Sequence, residues 1–413
     1  MEKTTIKYIS PFLLMVYIWG IELLLYNMHI ISFYHPLNLS ALILFIGVIL
    51  AIGIAGIVQK PLKRKNANRR FSMQDVLSIE QIEKKTQVLT KFFIIGTLIN
   101  IAFSRGVPLL WLLTGDGRTY TDFGVPSFSG FLNSVYYTTI VANFYLYLKT
   151  KQKRYLKILA IYLIYPILLV QRALIFTLGF ELLGMYLLMR RVKLKSIAVA
   201  AVISVMVIVL FGVMGNNRTG GDASEGTEQF IRGYVDDKYV DQMEKLPSGF
   251  TWVYIYFTCS INNVVYNIDK IQPLYYPYYT SRHLLPSVLS RMLFEQKDYE
   301  EKYAFDMDNS VFNTFTIYSN YVKDFGVFLT VVIFFFAGLF FYRIYYNARE
   351  ENIHYFFMYP AVVMIIFLSV FDDFFLSLPT VFQFIITYYT FKPQKQRQNT
   401  INSSNEIIST NSN

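Results

Sequence analysis

The chain has 413 residues, of which 54% are hydrophobic, 18% aromatic and only 16% charged. A soluble protein of this length carries more charge, so the composition excludes an ordinary soluble globule and points to an integral membrane protein. The net charge of +10 is no sign of nucleic acid binding, because the basic residues lie between apolar runs, where they set topology. The single cysteine, Cys259, excludes an intramolecular disulfide, and no Cys/His cluster has metal-binding spacing.

Apolar runs of membrane-crossing length recur at about 8–27, 38–58, 90–113, 130–148, 155–170, 173–189, 196–213, 324–343, 353–371 and 374–391. The first follows Lys3 and Lys7 without a small-residue cleavage site and reads as a retained helix. Every second connection is basic. Lys60, Lys63, Arg64, Lys65, Arg69 and Arg70 follow the second run, and Lys149, Lys151, Lys153, Arg154 and Lys157 the fourth. Arg190, Arg191, Lys193 and Lys195 follow the sixth, Arg343 and Arg349 the eighth, and Lys392, Lys395 and Arg397 the tenth. These connections are expected in the cytoplasm. Both termini are then inside, and the polar segment from Met214 to Lys323 faces outward across the cytoplasmic membrane.

The expected fold is all-α: a polytopic transmembrane bundle of ten to twelve spans with one large external loop. It divides into an N-terminal bundle (1–213), the loop (214–323), C-terminal spans (324–391) and a cytoplasmic tail (392–413) whose Asn/Ser/Thr-rich composition predicts disorder. The stretch Phe250–Ile268 is apolar but carries Asn262, Asn263 and Asn267. If it crosses, Tyr275–Tyr279 or Phe312–Tyr321 must cross back; a re-entrant or interfacial pair is the alternative. No internal repeat of the inverted-repeat transporter kind is visible.

Arginines mark the candidate chemistry. Arg118 lies in a short external connection, Thr114-Gly-Asp-Gly-Arg118-Thr-Tyr-Thr-Asp122, and Arg172 in the tightest external turn, Val170-Gln171-Arg172-Ala173. Each either snorkels to water and headgroups or grips an anion, and guanidinium is the natural bidentate ligand for phosphate. Arg218 stands among glycines in Gly215-Asn216-Asn217-Arg218-Thr219-Gly220-Gly221, where backbone N–H groups can approach an anion. Arg232, Arg282 and Arg291 follow in the loop. Base candidates are Asp324 at the outer boundary of a span and His283, beside Arg282 and the aromatic run Tyr278-Tyr279. Glu22 and Glu181 lie inside apolar runs, where a carboxylate is either functional or paired with a neighbouring helix. Asp372-Asp373 form an external turn. Asp306-x-Asp308 is a weak metal pair, and no metal or other cofactor is expected.

In their order along the chain these parts resemble the Wzy-type polymerases of oligosaccharide repeat units, which build O-antigen and capsular polysaccharides. The resemblance rests on Gln171-Arg172 at a helix start, Asn217-Arg218 entering the loop and the segment His283–Pro286. It continues with Asn313-Thr314-Phe315-Thr316 leading to Asp324-Phe325-Gly326 and a helix containing Gly338. It implies a fold similar to GT-C-type lipid-sugar glycosyltransferases and a glycosyl transfer from a polyprenyl-pyrophosphate donor to a lipid-linked repeat unit. Under it, Arg118, Arg172, Arg218 and Arg282 are expected to hold pyrophosphate, and Asp324 or His283 to accept the attacking hydroxyl's proton. The partners implied are polyprenyl-pyrophosphate-linked oligosaccharides, membrane lipids, a flippase and a chain-length regulator. The competing readings are a lipid-linked oligosaccharide flippase and a membrane-bound acyltransferase. The latter needs a histidine reached from the cytoplasm, for which His354 is the candidate.

Overall fold

The computed structural model describes residues 9–67, 77–190, 232–293, 305–306 and 314–393. The run expected at 196–213, Arg218, Asp308, Asn313 and the tail from 394 lie outside them, as do the side chains of Arg172 and Arg291. The described residues are helical, joined by turns and one isolated bridge between Ile31 and Val235. The helices are α1 (Pro11–Asn27), α2 (Leu39–Ala67), α3 (Ile79–Ser104), α4 (Pro108–Thr114), α5 (Phe128–Thr150), α6 (Lys153–Leu168) and α7 (Arg172–Met189). The polar segment 214–323 contributes α8 (Ser248–Asn267), α9 (Tyr278–Leu284) and α10 (Ser287–Leu293), followed by α11 (Ser319–Asn347), α12 (Ile353–Leu368) and α13 (Leu378–Phe391). Among the described residues four stretches are long and apolar enough to cross a membrane: Leu39–Lys60, Ile79–Thr114, Ser319–Asn347 and Glu350–Leu368. Pro11–Asn27 and Ala173–Met189 are apolar but shorter.

Local chemistry sets these boundaries. Ser10 caps α1 through its hydroxyl, and Pro11 follows at the first helical position, where its missing N–H costs nothing. Ser78 and Gln81 form a reciprocal capping box that starts α3 well before the expected residue 90. The backbone then breaks at Arg105 (φ 53°) and Gly106 (φ 145°), so the apolar stretch Ile79–Thr114 is built from two helices, α3 and α4.

Helix α11 lies along α2 at close range. A Cβ on Gly338 would come within 2.9 Å of the Ala55 Cβ and 3.1 Å of the Ile52 Cα. Small residues at such a seam let two membrane helices meet backbone to backbone. Helix α12 is enclosed by α1, α5, α7, α11 and α13, and its residues from Phe356 to Ile366 are buried throughout.

Two sets of connections gather separately. Residues 30–32 pair with 234–236 through Ser32 N–H to the Tyr234 carbonyl and Asp236 N–H to the Ile30 carbonyl, both 2.8 Å. Lys149 pairs with Glu350, Arg154 with Glu83, and Arg190 donates to the Leu148 carbonyl. The first set holds segments expected outside, and the second joins connections expected in the cytoplasm.

Candidate functional site

The segment carrying Thr314-Phe315-Thr316 through Asp324-Phe325-Gly326 folds as a scaffold against α8 and the end of α12. The Thr314 hydroxyl meets the Cys259 thiol at 2.8 Å, and its carbonyl accepts from the Asn263 amide at 2.9 Å. The Ile317 N–H donates to the Ser369 carbonyl at 2.7 Å, and the Trp19 indole donates to the Ser369 hydroxyl at 2.9 Å. Tyr318 packs on Trp19 with ring centroids 4.8 Å apart. The three asparagines that made 250–268 ambiguous serve the same end. Asn262 accepts from Tyr26 and from the His35 N–H, while Asn267 clamps both backbone groups of Asp306. An apolar helix with one polar seam buries its amides only where they find such partners.

Gly326 gives the glycine of the Asp-Phe-Gly run its physical meaning. Its φ of 73° and ψ of 176° break α11, a conformation open essentially to glycine alone. A Cβ there would also come within 2.9 Å of Pro273. The break frees the Lys323 carbonyl to accept from the Leu274 N–H at 3.0 Å, which draws the chain leading to α9 onto α11.

Asp324 then fixes α9 in place. Its Oδ1 accepts from the Tyr279 N–H at 3.0 Å, and its Oδ2 from the Thr280 N–H at 2.8 Å and the Thr280 hydroxyl at 2.7 Å. The residue before α9 is Pro277, which has no side-chain oxygen. A carboxylate from another helix therefore caps the free N–H groups of α9. Asp324, the expected proton acceptor, is fully buried, and both its oxygens accept hydrogen bonds from α9. His283, the other expected base, is exposed on the last turn of α9.

Charged groups converge where α9, α11 and the α12–α13 connection meet. The Lys323 ammonium lies 3.9 Å from the centre of the Tyr279 ring and 5.0 Å from that of Phe305. Arg282, Asp324 and Asp372 are close enough to act on its charge. Lys323 escaped the sequence reading; its place beside Asp324 was the available signal. Asp373 is buried, and its Oδ1 accepts from the Phe375 and Leu376 N–H groups at 3.0 and 3.1 Å. Burial pushes its carboxyl up to about 7, with the neighbouring Asp372 adding to the rise.

That shift has a testable sign. The folded state holds the Asp373 proton more tightly than the unfolded chain does, so this contribution is full below the ordinary carboxylate range and lost as pH rises through about 7. Asp373→Asn keeps the accepting oxygen but removes the titration. Its unfolding free energy in detergent, measured against wild type, is expected to rise by on the order of 2–3 kcal/mol between pH 5 and pH 8.5. An equal offset at both pH values would sink this account.

The remaining expected residues lie apart. Arg118 forms a bidentate pair with Asp116 at 2.7 and 2.8 Å, donates to the Ser104 carbonyl at 2.8 Å and stacks on Trp111 at 4.1 Å. The guanidinium holds Asp116 below the usual carboxylate range. Arg118 thus ties α4 to the end of α3. Arg172 opens α7 two residues after Val170, whose φ of 55° is unusual for a β-branched residue. Arg232 pairs with Glu244 at 3.3 Å. Glu181 is buried in α7 and accepts from the Gln383 amide of α13 at 2.7 Å, and Glu22 is buried in α1. His354 is buried between Tyr355 and Tyr388. Asp306 has its backbone held by Asn267. Among the described residues no three His, Cys, Asp or Glu side chains gather as a metal site.

An open apolar groove of about 400 Å³ lies between α11, α12 and α13, lined by Phe340, Met358, Phe375, Phe384, Tyr388 and Tyr389 among others. Phe375 belongs to the same connection as Asp372 and Asp373. No protein-family model, curated protein or solved structure matches the chain.

Proposed function

We propose that the protein is a polysaccharide polymerase of the outer face of the cytoplasmic membrane, joining polyprenyl-pyrophosphate-linked repeat units. The observation that carries this reading is a partly buried charged junction and an apolar groove joined through one connection, which supplies Asp372 to the first and Phe375 to the second, one for a pyrophosphate and the other for an isoprenyl chain. In the reaction, an acceptor hydroxyl attacks the donor's anomeric carbon, the carbon–oxygen bond to pyrophosphate breaks, and its electron pair leaves with the lipid. Such chemistry needs cations for the departing charge, an acceptor for the hydroxyl proton and a place for the lipid. Arg172, Arg218 and Arg282 are the expected cations, and His283 is the exposed candidate for the proton. Ten to twelve spans with both termini inside complete the reading. It is supported by the way expected outer connections pair with one another and expected inner ones do likewise.

The test is mass analysis of lipid-linked glycans in a strain lacking the gene. Single repeat units are expected to accumulate on the outer face, and restoring the gene should return long chains. Unchanged chain length in the deletion strain, or single units confined to the inner face, would refute the polymerase.

A further inference from the structure

We propose that Lys323, with Arg282 beside it, is the residue pair that grips the pyrophosphate of the lipid-linked sugar where the apolar groove meets the charged junction, an assignment that rests on the polymerase reading. Lys323 is half-buried. Among the described residues its ammonium makes no hydrogen bond and no ion pair within 4 Å; what it touches are the faces of Tyr279 and Phe305. Ring faces attract a cation but leave its N–H donors unused. A partly buried ammonium is stabilised when acceptors reach its N–H donors.

The carboxylates nearby do not fill that role. Asp324 is turned to the backbone of α9 and takes three hydrogen bonds there. Asp372 is exposed and acts on Lys323 only through its charge. Arg282 brings a second positive charge from α9, against Lys323 from α11. The position relative to lipid also fits. Asp372 precedes Phe375 in the same connection, and Phe375 lines the groove, so one connection carries both a charge at the junction and an apolar ring of the groove. The capping bond from Asp324 and the break at Gly326 make this geometry rigid, since they fix Tyr279, Arg282 and Lys323 relative to one another.

The test uses the purified full-length protein in detergent with farnesyl pyrophosphate, farnesol and inorganic pyrophosphate as probes, read by the shift in unfolding temperature. Farnesyl pyrophosphate is expected to stabilise wild type, farnesol to do so weakly, and inorganic pyrophosphate to fall between. Lys323→Met is expected to bind farnesyl pyrophosphate about 10–100-fold more weakly while keeping its response to farnesol, and Lys323→Arg to recover most of the loss. Asp372→Asn, which removes an opposing charge, should bind the probe more tightly. Wild-type affinity in Lys323→Met overturns the proposal. If that variant fails to accumulate, unchanged affinity in Asp372→Asn overturns it instead. Complementation separates this from the broader reading. Lys323→Met restoring full-length polymer sinks the Lys323 assignment alone, whereas wild type failing to convert single units to polymer sinks the polymerase itself.

Discussion

Arg172→Lys and Arg172→Ala are both expected to leave protein in the membrane at near-normal levels and to strip long-chain polymer from the cell surface. If Arg172 grips pyrophosphate bidentately, lysine keeps the charge but loses the planar fork. Losing a contact of this kind typically lowers the rate about 10²–10³-fold, and the residual glycan should be mostly single repeat units. The turn that presents Arg172 is tightly specified. The Gln171 N–H returns to the Pro166 carbonyl at 3.1 Å, and Val170 sits at φ 55°. A valine there costs on the order of 1–3 kcal/mol and persists only where its surroundings demand it. Chain-length analysis of surface glycan in the two variants decides the matter. Normal polymer length in Arg172→Lys would make Arg172 a turn anchor that snorkels to water as lysine also does.

The second large effect is expected at Asp324. Asp324→Ala leaves two backbone N–H groups and a threonine hydroxyl without their acceptor in a buried place, at about 1–3 kcal/mol for each unsatisfied group. A lower unfolding midpoint, by on the order of 3–5 kcal/mol, should accompany loss of polymer. Thr280→Val removes one of the three bonds and should cost about 1 kcal/mol with polymer retained. Asp324→Asn keeps one accepting oxygen and should fall between. Wild-type stability in Asp324→Asn combined with complete loss of polymer would contradict the positioning role and return Asp324 to the chemistry.

The helices were legible where apolar runs were long and uninterrupted, as at α1, α2, α12 and α13. Breaks were less so. Arg105-Gly106 divides a run whose average composition looks continuous, because hydropathy averages over a window while a left-handed residue acts at one position. At Asp324-Phe325-Gly326 the motif was visible and its meaning was not. The carboxylate's partners, Tyr279 and Thr280, lie far back in the sequence, and nothing local records that α9 begins after a proline unable to cap it. Arg118 shows the same limit. Its place in a short outer connection gave it the profile of an anion ligand, yet Asp116, two residues earlier, takes it bidentately. Lys323 went unread because charge next to Asp324 resembled a solvated helix start. Its quality as a site comes from the aromatic rings of Tyr279 and Phe305, which only folding brings to it.

The enclosure of α12 has a consequence for biosynthesis. As the chain leaves the ribosome, α1, α5 and α7 are made long before residues 353–368 exist, and each keeps a face shaped for a helix still to come. That slot must be filled or shielded by a temporary occupant until α12 arrives and displaces it. A ribosome stalled before Ile353 therefore yields a product with every early helix made and no finished interior, open to proteolysis.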